Sequence, residues 1–292
     1  MVDGRILARV RRRGIRQRGI SAGAALPGGP AAAIMRVVPT DNVYHSARMA
    51  AGYAFSRPPV HRHIITKIRG DLRLERPVGR ALDIGCGAGL STAALESIAR
   101  SVVGLEPAAA MLAHRHAVAP CASFVAARAE EMPFAAGSFD VVTAAGSLNY
   151  VDLESFLPDL ARVLTARGVM VIYDFSAGRR LRGSDTLDAW YSEFERRFPP
   201  KPGYDMDVRR LGYERAGLGL VAYEPFEVAV PMAIGQYVPY AMSETGVELA
   251  VARGVPEADI RMWCEATLAG IIDDRPRDVL FDAYVAYVRH AM

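Results

Sequence analysis

Gly85, Gly87 and Gly89 alternate in the stretch ALDIGCGAGLST, directly after a short apolar run. Glycine admits left-handed backbone and leaves no side chain between the main chain and a ligand. The residues that follow have helical periodicity, and the free N–H groups at a helix start attract an anionic ligand group. Glu106 closes the next apolar run, 21 positions after Gly85. An acid at that spacing suits the hydroxyls of a ribose. Loop and acid together describe one βαβ unit that binds a nucleoside.

Two details narrow the nucleoside. A dinucleotide loop reads GxGxxG, but here the third glycine comes one place early and Leu90 holds the later position. Asp83 ends the strand just before the loop. A carboxylate there repels a pyrophosphate and suits an ammonium, directly or through water. S-adenosylmethionine carries an ammonium, a sulfonium and a carboxylate but no phosphate, so the local charges favour it as the cofactor.

The surrounding chain supplies the elements that must position these groups. From Arg80 onwards, short apolar runs (RALDI, SVVGLE, SFVAA, FDVVTAAG, VMVIYDF) alternate with helical stretches (GLSTAALESIAR, PAAAMLAHRHAV, DLESFLPDLARVLTARG). Pro107 opens the second helix, Asp152 caps the third and Gly168 stops it. This rhythm predicts an α/β fold with a mainly parallel, doubly wound sheet and helices on both faces. Upstream, DNVYHSARMAAGYAF has helical spacing after the cap candidate Asp41, Pro58 and Pro59 break it, and HRHIITKIRGDL resumes it. Downstream, TLDAWYSEFERRF is amphipathic and GYDMDVRRLGYERAGL is a helix candidate. LVAYEPFEVAVPMA reads as strand. Two helices divided at Gly254–Pro256 precede the alternating strand DVLFDAYVAYVRH.

LDIGCGAG followed by VVGLEPAAAML resembles the first two motifs of class I S-adenosylmethionine-dependent methyltransferases. AEEMPFAAGSFDVVTAAGSLNYV and LARVLTARGVMVIYDF resemble their adenine-binding, fourth-strand and fifth-strand segments. The likeness covers about residues 41–175 and continues more weakly to the C-terminus. It is similar in flavour to the small-molecule branch, the trans-aconitate and quinone-pathway C-methyltransferases, whose tyrosine-then-Arg-Pro segment YAFSRPP resembles. The resemblance implies a Rossmann-like seven-stranded sheet with an antiparallel last strand and a helical cap. It implies that Gly85 and Gly87, with Cys86 between them, line the methionine part, with Asp83 close to the amino group. Glu106 takes the ribose hydroxyls, Pro107 and Met111 lie near the adenine, and Ala129 and Glu130 meet its edge. Gly146 and Ser147 pass close to the methionine moiety, and Tyr44 and Tyr53 cap the cofactor. Two positions depart from the pattern. Arg128 stands where quinone-pathway relatives carry Asp, and Asn149–Tyr150 replace a His-containing pair.

Methyl transfer from a sulfonium is an in-line displacement whose main demand is alignment. A base is needed only where the nucleophile must lose a proton, and no triad is visible. Asn149, Tyr150 and Asp174 lie at the carboxyl ends of the fourth and fifth strands, where open α/β sheets hold ligands. His61 is the candidate base, because an unperturbed imidazole titrates near neutrality. The plainer reading makes His61 a solvent-exposed side chain and Tyr44 and Tyr53 packing residues. Arg179, Arg180 and Arg182 form either a solvated loop or a carboxylate-binding cluster. Trp190, Tyr191, Tyr237, Tyr240 and Trp263 belong to the core or to a substrate roof.

Residues 1–34 hold seven arginines against one acid, a balance of +6, while the whole chain totals +3. The remainder is therefore at −3, which argues against nucleic acid as a partner. Residues 1–34 read as a disordered basic extension, with Met35 a candidate start. Residues 35–292 read as the methyltransferase domain, with lid helices in 41–70 and cap segments about 185–217 and 235–272. No apolar run approaches the roughly 18–20 residues of a membrane span. Cys86, Cys121 and Cys264 form no CxxC pair, which argues against a disulfide framework or a zinc knuckle and suits a reducing cytoplasm. The expected function is methyl transfer to a small-molecule acceptor. A nicotinamide-dependent oxidoreductase and a non-catalytic S-adenosylmethionine-binding protein are the alternatives.

Overall fold

The structure is a computed structural model that describes residues 43–201 and 206–291. The basic extension, Met35 and Asp41 lie outside the described residues. Helix α1 (Ala47–Ser56) is capped by Ser46, whose Oγ accepts the Met49 amide, and it ends before Pro58. Helix α2 (Val60–Asp71) buries Val60, Ile64, Ile65 and Ile68, the apolar stripe of one face.

The alternating region follows as β1 (Val78–Ile84), α3 (Leu90–Leu95), β2 (Ala99–Leu105), α4 (Arg115–Val118), β3 (Ser123–Val125), β4 (Phe139–Ala145), α5 (Leu153–Val163) and β5 (Leu164–Phe175). Then come β6 (Arg180–Leu181), α6 (Thr186–Arg197), β7 (Leu218–Met232), α7 (Ile234–Met242), α8 (Thr245–Ala252), α9 (Glu257–Leu268) and β8 (Arg277–His290). The sheet runs β3-β2-β1-β4-β5-β8, with β7 on the far edge of β8 and the two-residue β6 pairing the start of β8. Strands β1 to β5 are parallel, and β8 lies antiparallel between β5 and β7. Seven strands of three residues or more, the last of them antiparallel, match the expected Rossmann-like architecture, and the two-residue β6 is an addition to it.

Period-two alternation divides the core between two faces. Ala81, Val141, Val171 and Tyr173 pack toward α2, α3, α6, α7 and α9. Leu82, Ile84, Val142, Ala144, Met170 and Ile172 pack toward α5 and the turns at Val208–Arg210 and Tyr213–Ala216. Among the described residues no helix is long and apolar enough to cross a membrane.

Four local expectations are corrected. Gly168 is not a helix stop. Helix α5 ends at Val163, and Gly168 lies within β5, where a Cβ would stand 3.0 Å from the Phe139 carbonyl oxygen. After Pro107 there is a 3₁₀ turn (Met111–His114) and the four-residue α4 instead of one helix. The Glu106 carboxylate takes the Ala108 amide there, so the run starts as a turn. Of the helix expected over 203–218, residues 203–205 lie outside the described residues and the rest holds two 3₁₀ turns, the second entered and left through Gly212 and Gly217 at positive φ. The first of the two late helices breaks into α7 and α8 at Ser243–Glu244. The Met242 and Ser243 carbonyls there are taken by Arg48 of α1 and by Arg57, which follows it.

Candidate functional site

The glycine loop leaves β1 with the amides of Gly85 and Cys86 both donating to the Leu105 carbonyl, at 2.8 and 3.1 Å. Gly85, Gly87 and Gly89 adopt φ of 64°, 54° and 96°, so all three use conformations that a side chain resists. Two of them also need the space. A Cβ on Gly85 would stand 2.4 Å from Ser147 Cβ, and one on Gly87 would stand 3.2 Å from Met111 Cε. The bare backbone therefore serves close approach within the chain as well as exposure to a ligand. Ser147 is drawn in because its hydroxyl donates to the Ile84 carbonyl at 2.6 Å.

The two acids divide their roles in a way the sequence did not disclose. Glu106 accepts the Gly87 amide at 3.1 Å and the Ala108 amide at 2.8 Å. It stands across the loop mouth at the end of β2. Burial pushes its carboxyl upward, and the two amides oppose that shift. Asp83 is fully buried, with hydroxyls of Ser91, Thr92 and Thr143 donating to it at 2.6, 2.7 and 2.8 Å. Thr143 is its register partner across β1 and β4. Burial raises the Asp83 carboxyl and the three hydroxyls pull it back. Asp83, expected near the ligand's amino group, lies beneath the glycine loop. Its oxygens are enclosed, and it ties β1 to β4 and to the start of α3 beneath the loop.

The remaining cofactor candidates lie around this loop. Cys86 and Met111 are buried and Pro107 is exposed. Ala129 is buried, whereas the carboxylate of Glu130 accepts the Asp152 amide at 2.9 Å and pairs with Arg128 at 3.0 Å. Gly146 takes φ of 61°, and its amide donates to the Tyr173 carbonyl. Helix α1 covers the loop through small residues: Ala50 and Ala54 pack with Ala88, Ala108 and Met111, and Tyr44 and Tyr53 join them. The Tyr44 ring meets Tyr53 edge-on at 5.9 Å and Tyr150 at 5.8 Å.

The three catalytic candidates separate. Tyr150 joins the tyrosines over the loop, its hydroxyl 3.3 Å from that of Tyr44. Asn149 lines a crevice at the ends of β4 and β5 with Gly146, Ser147, Asp174 and Tyr284. His61 lies on the opposite face, its Nδ1 3.0 Å from the Tyr173 hydroxyl and its ring against Phe175. Burial, and then the Arg57 guanidinium, push the His61 pKa down to about 4. The imidazole is therefore neutral at pH 7 and a weaker proton acceptor than an unperturbed one. It is also not a solvent-exposed side chain.

Arg57, expected in the N-terminal lid with Tyr44, Tyr53 and His61, follows the last residue of α1. Its guanidinium lies 4.2 Å from the Tyr53 ring centroid and donates to Glu244 and to the Ser243 carbonyl, each at 2.9 Å. Arg48 does the same with Glu248 and the Met242 carbonyl. Both bind α1 to the α7–α8 corner, a link between residues about 190 positions apart with no local sequence signal. The carboxylate-binding option for Arg179, Arg180 and Arg182 is corrected, because each is ion-paired. Arg179 pairs with Asp188 and Glu195, Arg180 with Glu227 and Asp282, and Arg182 with Asp278. Trp190, Tyr191, Tyr237 and Tyr240 are core residues, and Trp263 stacks on Trp190 at 5.6 Å.

Comparison with known proteins gives matches to part of the chain. Residues 82–172 match the family described as a methyltransferase domain, a span running from inside β1 into β5. An uncharacterised methyltransferase of Synechocystis is 32% identical over 101 residues, covering 34% of this chain and 48% of that protein. A demethylmenaquinone methyltransferase of Beutenbergia cavernae is 36% identical over 102 residues, 35% of this chain and 42% of its own. A ubiquinone/menaquinone biosynthesis C-methyltransferase of Geotalea uraniireducens is 38% identical over 111 residues, 35% and 47% respectively. The chain thus spans about half the length of these curated relatives. A solved structure from Anaeromyxobacter dehalogenans, whose assignment as a type II methyltransferase is itself provisional, shares the fold. Its TM-score is 0.57 at 22% identity, covering 80% of this chain and 98% of that one.

Proposed function

We propose, from the premise that residues 82–172 carry a methyltransferase domain, that the protein is an S-adenosylmethionine-dependent methyltransferase acting on a small molecule. One observation carries the reading. Glu106 at the end of β2 faces the glycine loop at the end of β1, and each of its oxygens receives a single backbone N–H. A carboxylate accepts about four hydrogen bonds, so it keeps capacity for two ribose hydroxyls. Half-exposed Gly85 and Gly87 offer backbone to the methionine part. Met111, Ala129 and Glu130 flank the adenine side, and Gly146 and Ser147 flank the amino-acid arm. Asp83 acts from below, by holding the loop.

Bound S-adenosylmethionine supplies an activated methyl group, and the residues of this chain supply orientation and shelter from water. Helix α1 is the lid over the loop, with Tyr44 and Tyr53 above the cofactor. The α7–α8 corner to which Arg48 and Arg57 bind it is part of the cap. The acceptor side is the carboxyl end of β4 and β5, where Asn149 lines the crevice. A small neutral or partly apolar acceptor suits the site, because the nearby arginine loop is neutralised by acids. The demethylmenaquinone and ubiquinone/menaquinone relatives make a quinol the first acceptor to try. The three free cysteines are in keeping with a cytoplasmic setting.

Isothermal titration with S-adenosylmethionine, S-adenosylhomocysteine and NAD tests the donor. Binding of the first two without NAD is expected, and NAD binding alone would return the reading to an oxidoreductase. Turnover with a demethylmenaquinol separates an enzyme from a non-catalytic binding protein.

A further inference from the structure

Of the carboxylates around the site, Glu130 pairs with Arg128, and two more are spoken for. Asp83 is enclosed by three hydroxyls, and Glu106 stands at β2 with the Gly87 and Ala108 amides. Asp174 differs from both. Among the described residues its one hydrogen bond comes from its neighbour's amide, Phe175 N to Oδ1 at 2.8 Å, and no cation pairs with it. A part-buried carboxylate without a countercharge is costly. Burial accordingly pushes its carboxyl up. It borders the crevice with Gly146, Ser147 and Asn149.

Topology gives this acid a position relative to the cofactor. Ala145 pairs with Tyr173 across β4 and β5, so Gly146 and Asp174 stand one step beyond, side by side. A Cβ on Gly146 would lie 2.9 Å from Asp174 Oδ1. Ser147 in turn sits against Gly85. Contacts thus run from the glycine loop through Ser147 and Gly146 to Asp174. With the ribose marked at β2, the rest of the ligand extends over β1 toward β4. The next strand, about 5 Å further, is β5.

We propose that Asp174 is the anionic partner for the cationic end of the methyl donor, its ammonium or its sulfonium. The inference rests on the methyl-donor reading above. It gives that end a carboxylate whose second oxygen is uncommitted and whose approach is kept open by Gly146.

The experiment is calorimetric titration of the full chain and its Asp174→Asn variant with three ligands: S-adenosylmethionine, S-adenosylhomocysteine and 5′-methylthioadenosine, which lacks both cations. The variant should bind S-adenosylmethionine at least tenfold more weakly and methylthioadenosine within twofold of the wild type. Loss of affinity for S-adenosylhomocysteine as well identifies the ammonium, and its retention identifies the sulfonium. Unchanged affinity for S-adenosylmethionine overturns the proposal. So does an equal loss for methylthioadenosine, which would mean that the change had only disturbed packing. Should the asparagine variant fail to fold, Asp174→Ser is read by the same criteria. Wild-type protein that binds neither sulfur ligand with the amino-acid arm defeats the methyl-donor reading and this proposal together. Wild-type binding with an unaffected variant defeats the proposal alone.

Discussion

Glu106 Oε2 accepts the Gly87 amide at 3.1 Å, so the acid at the end of β2 and the loop at the end of β1 brace each other. The same carboxylate holds Ala108 and starts the turn that brings Met111 to within 3.2 Å of a Cβ position on Gly87. Ligand recognition and loop shape therefore depend on one side chain.

Glu106→Gln tests that dependence. The amide keeps the size but loses the charge, and it presents a donor toward one of the two backbone N–H groups. Charge-assisted hydrogen bonds contribute about 1.5–3 kcal/mol each. S-adenosylmethionine affinity should fall roughly ten- to a hundredfold by calorimetry, with the fold retained by circular dichroism.

Asp83→Ala should damage stability before anything else. It strands three buried hydroxyls of Ser91, Thr92 and Thr143. Unsatisfied buried polar groups cost about 1–3 kcal/mol apiece, partly recovered by rearrangement. Urea unfolding should show a loss of roughly 3 kcal/mol or more, and Asp83→Asn a smaller one.

A pair of glycines separates backbone strain from crowding. Gly85 and Gly137 have nearly equal φ, 64° and 63°, but only Gly85 has a neighbour, Ser147 Cβ, at 2.4 Å from a built Cβ. Gly137→Ala should cost about 1–2 kcal/mol from the left-handed conformation alone. Gly85→Ala should cost more and abolish ligand binding. Equal losses by urea unfolding would refute the crowding argument.

His61 predicts a pH dependence of stability. Its pKa is depressed to about 4 in the folded chain, against about 6.5 unfolded. Between those values the unfolded state takes up a proton that the native state refuses, so stability falls as pH drops from about 6.5 to 4. Below about pH 4 both states are protonated and this contribution levels off. The full loss is on the order of 3 kcal/mol. His61→Gln should flatten that part of the curve when urea midpoints are measured from pH 7 to 4.

The parallel sheet was legible because each strand is a short apolar run bounded by turn residues, and that pattern is local. The ends of elements were less so. Gly168 resembles a helix stop, but a strand contact with the Phe139 carbonyl decides its place. The break at Ser243 depends on the guanidinium groups of Arg48 and Arg57. Of the candidate site, the loop and Glu106 could be read from spacing. The enclosure of Asp83 could not, although Ser91 and Thr92 stand only eight and nine positions away.

By itself the sequence determined the βαβ unit, the glycine backbone and the acid opposite it. Those depend on alternation, on φ freedom and on a separation of 21 residues, all properties of one continuous stretch. Only the tertiary structure decided which acids remain uncommitted, and that Asn149, Tyr150 and His61 lie in three different places. Strand register and the packing of α1 bring distant residues together, and burial then alters their charge states. Burial against Tyr173 and Phe175, and then Arg57, make His61 a neutral, partly buried imidazole, and the end of β5 leaves Asp174 beside Gly146 without a countercharge.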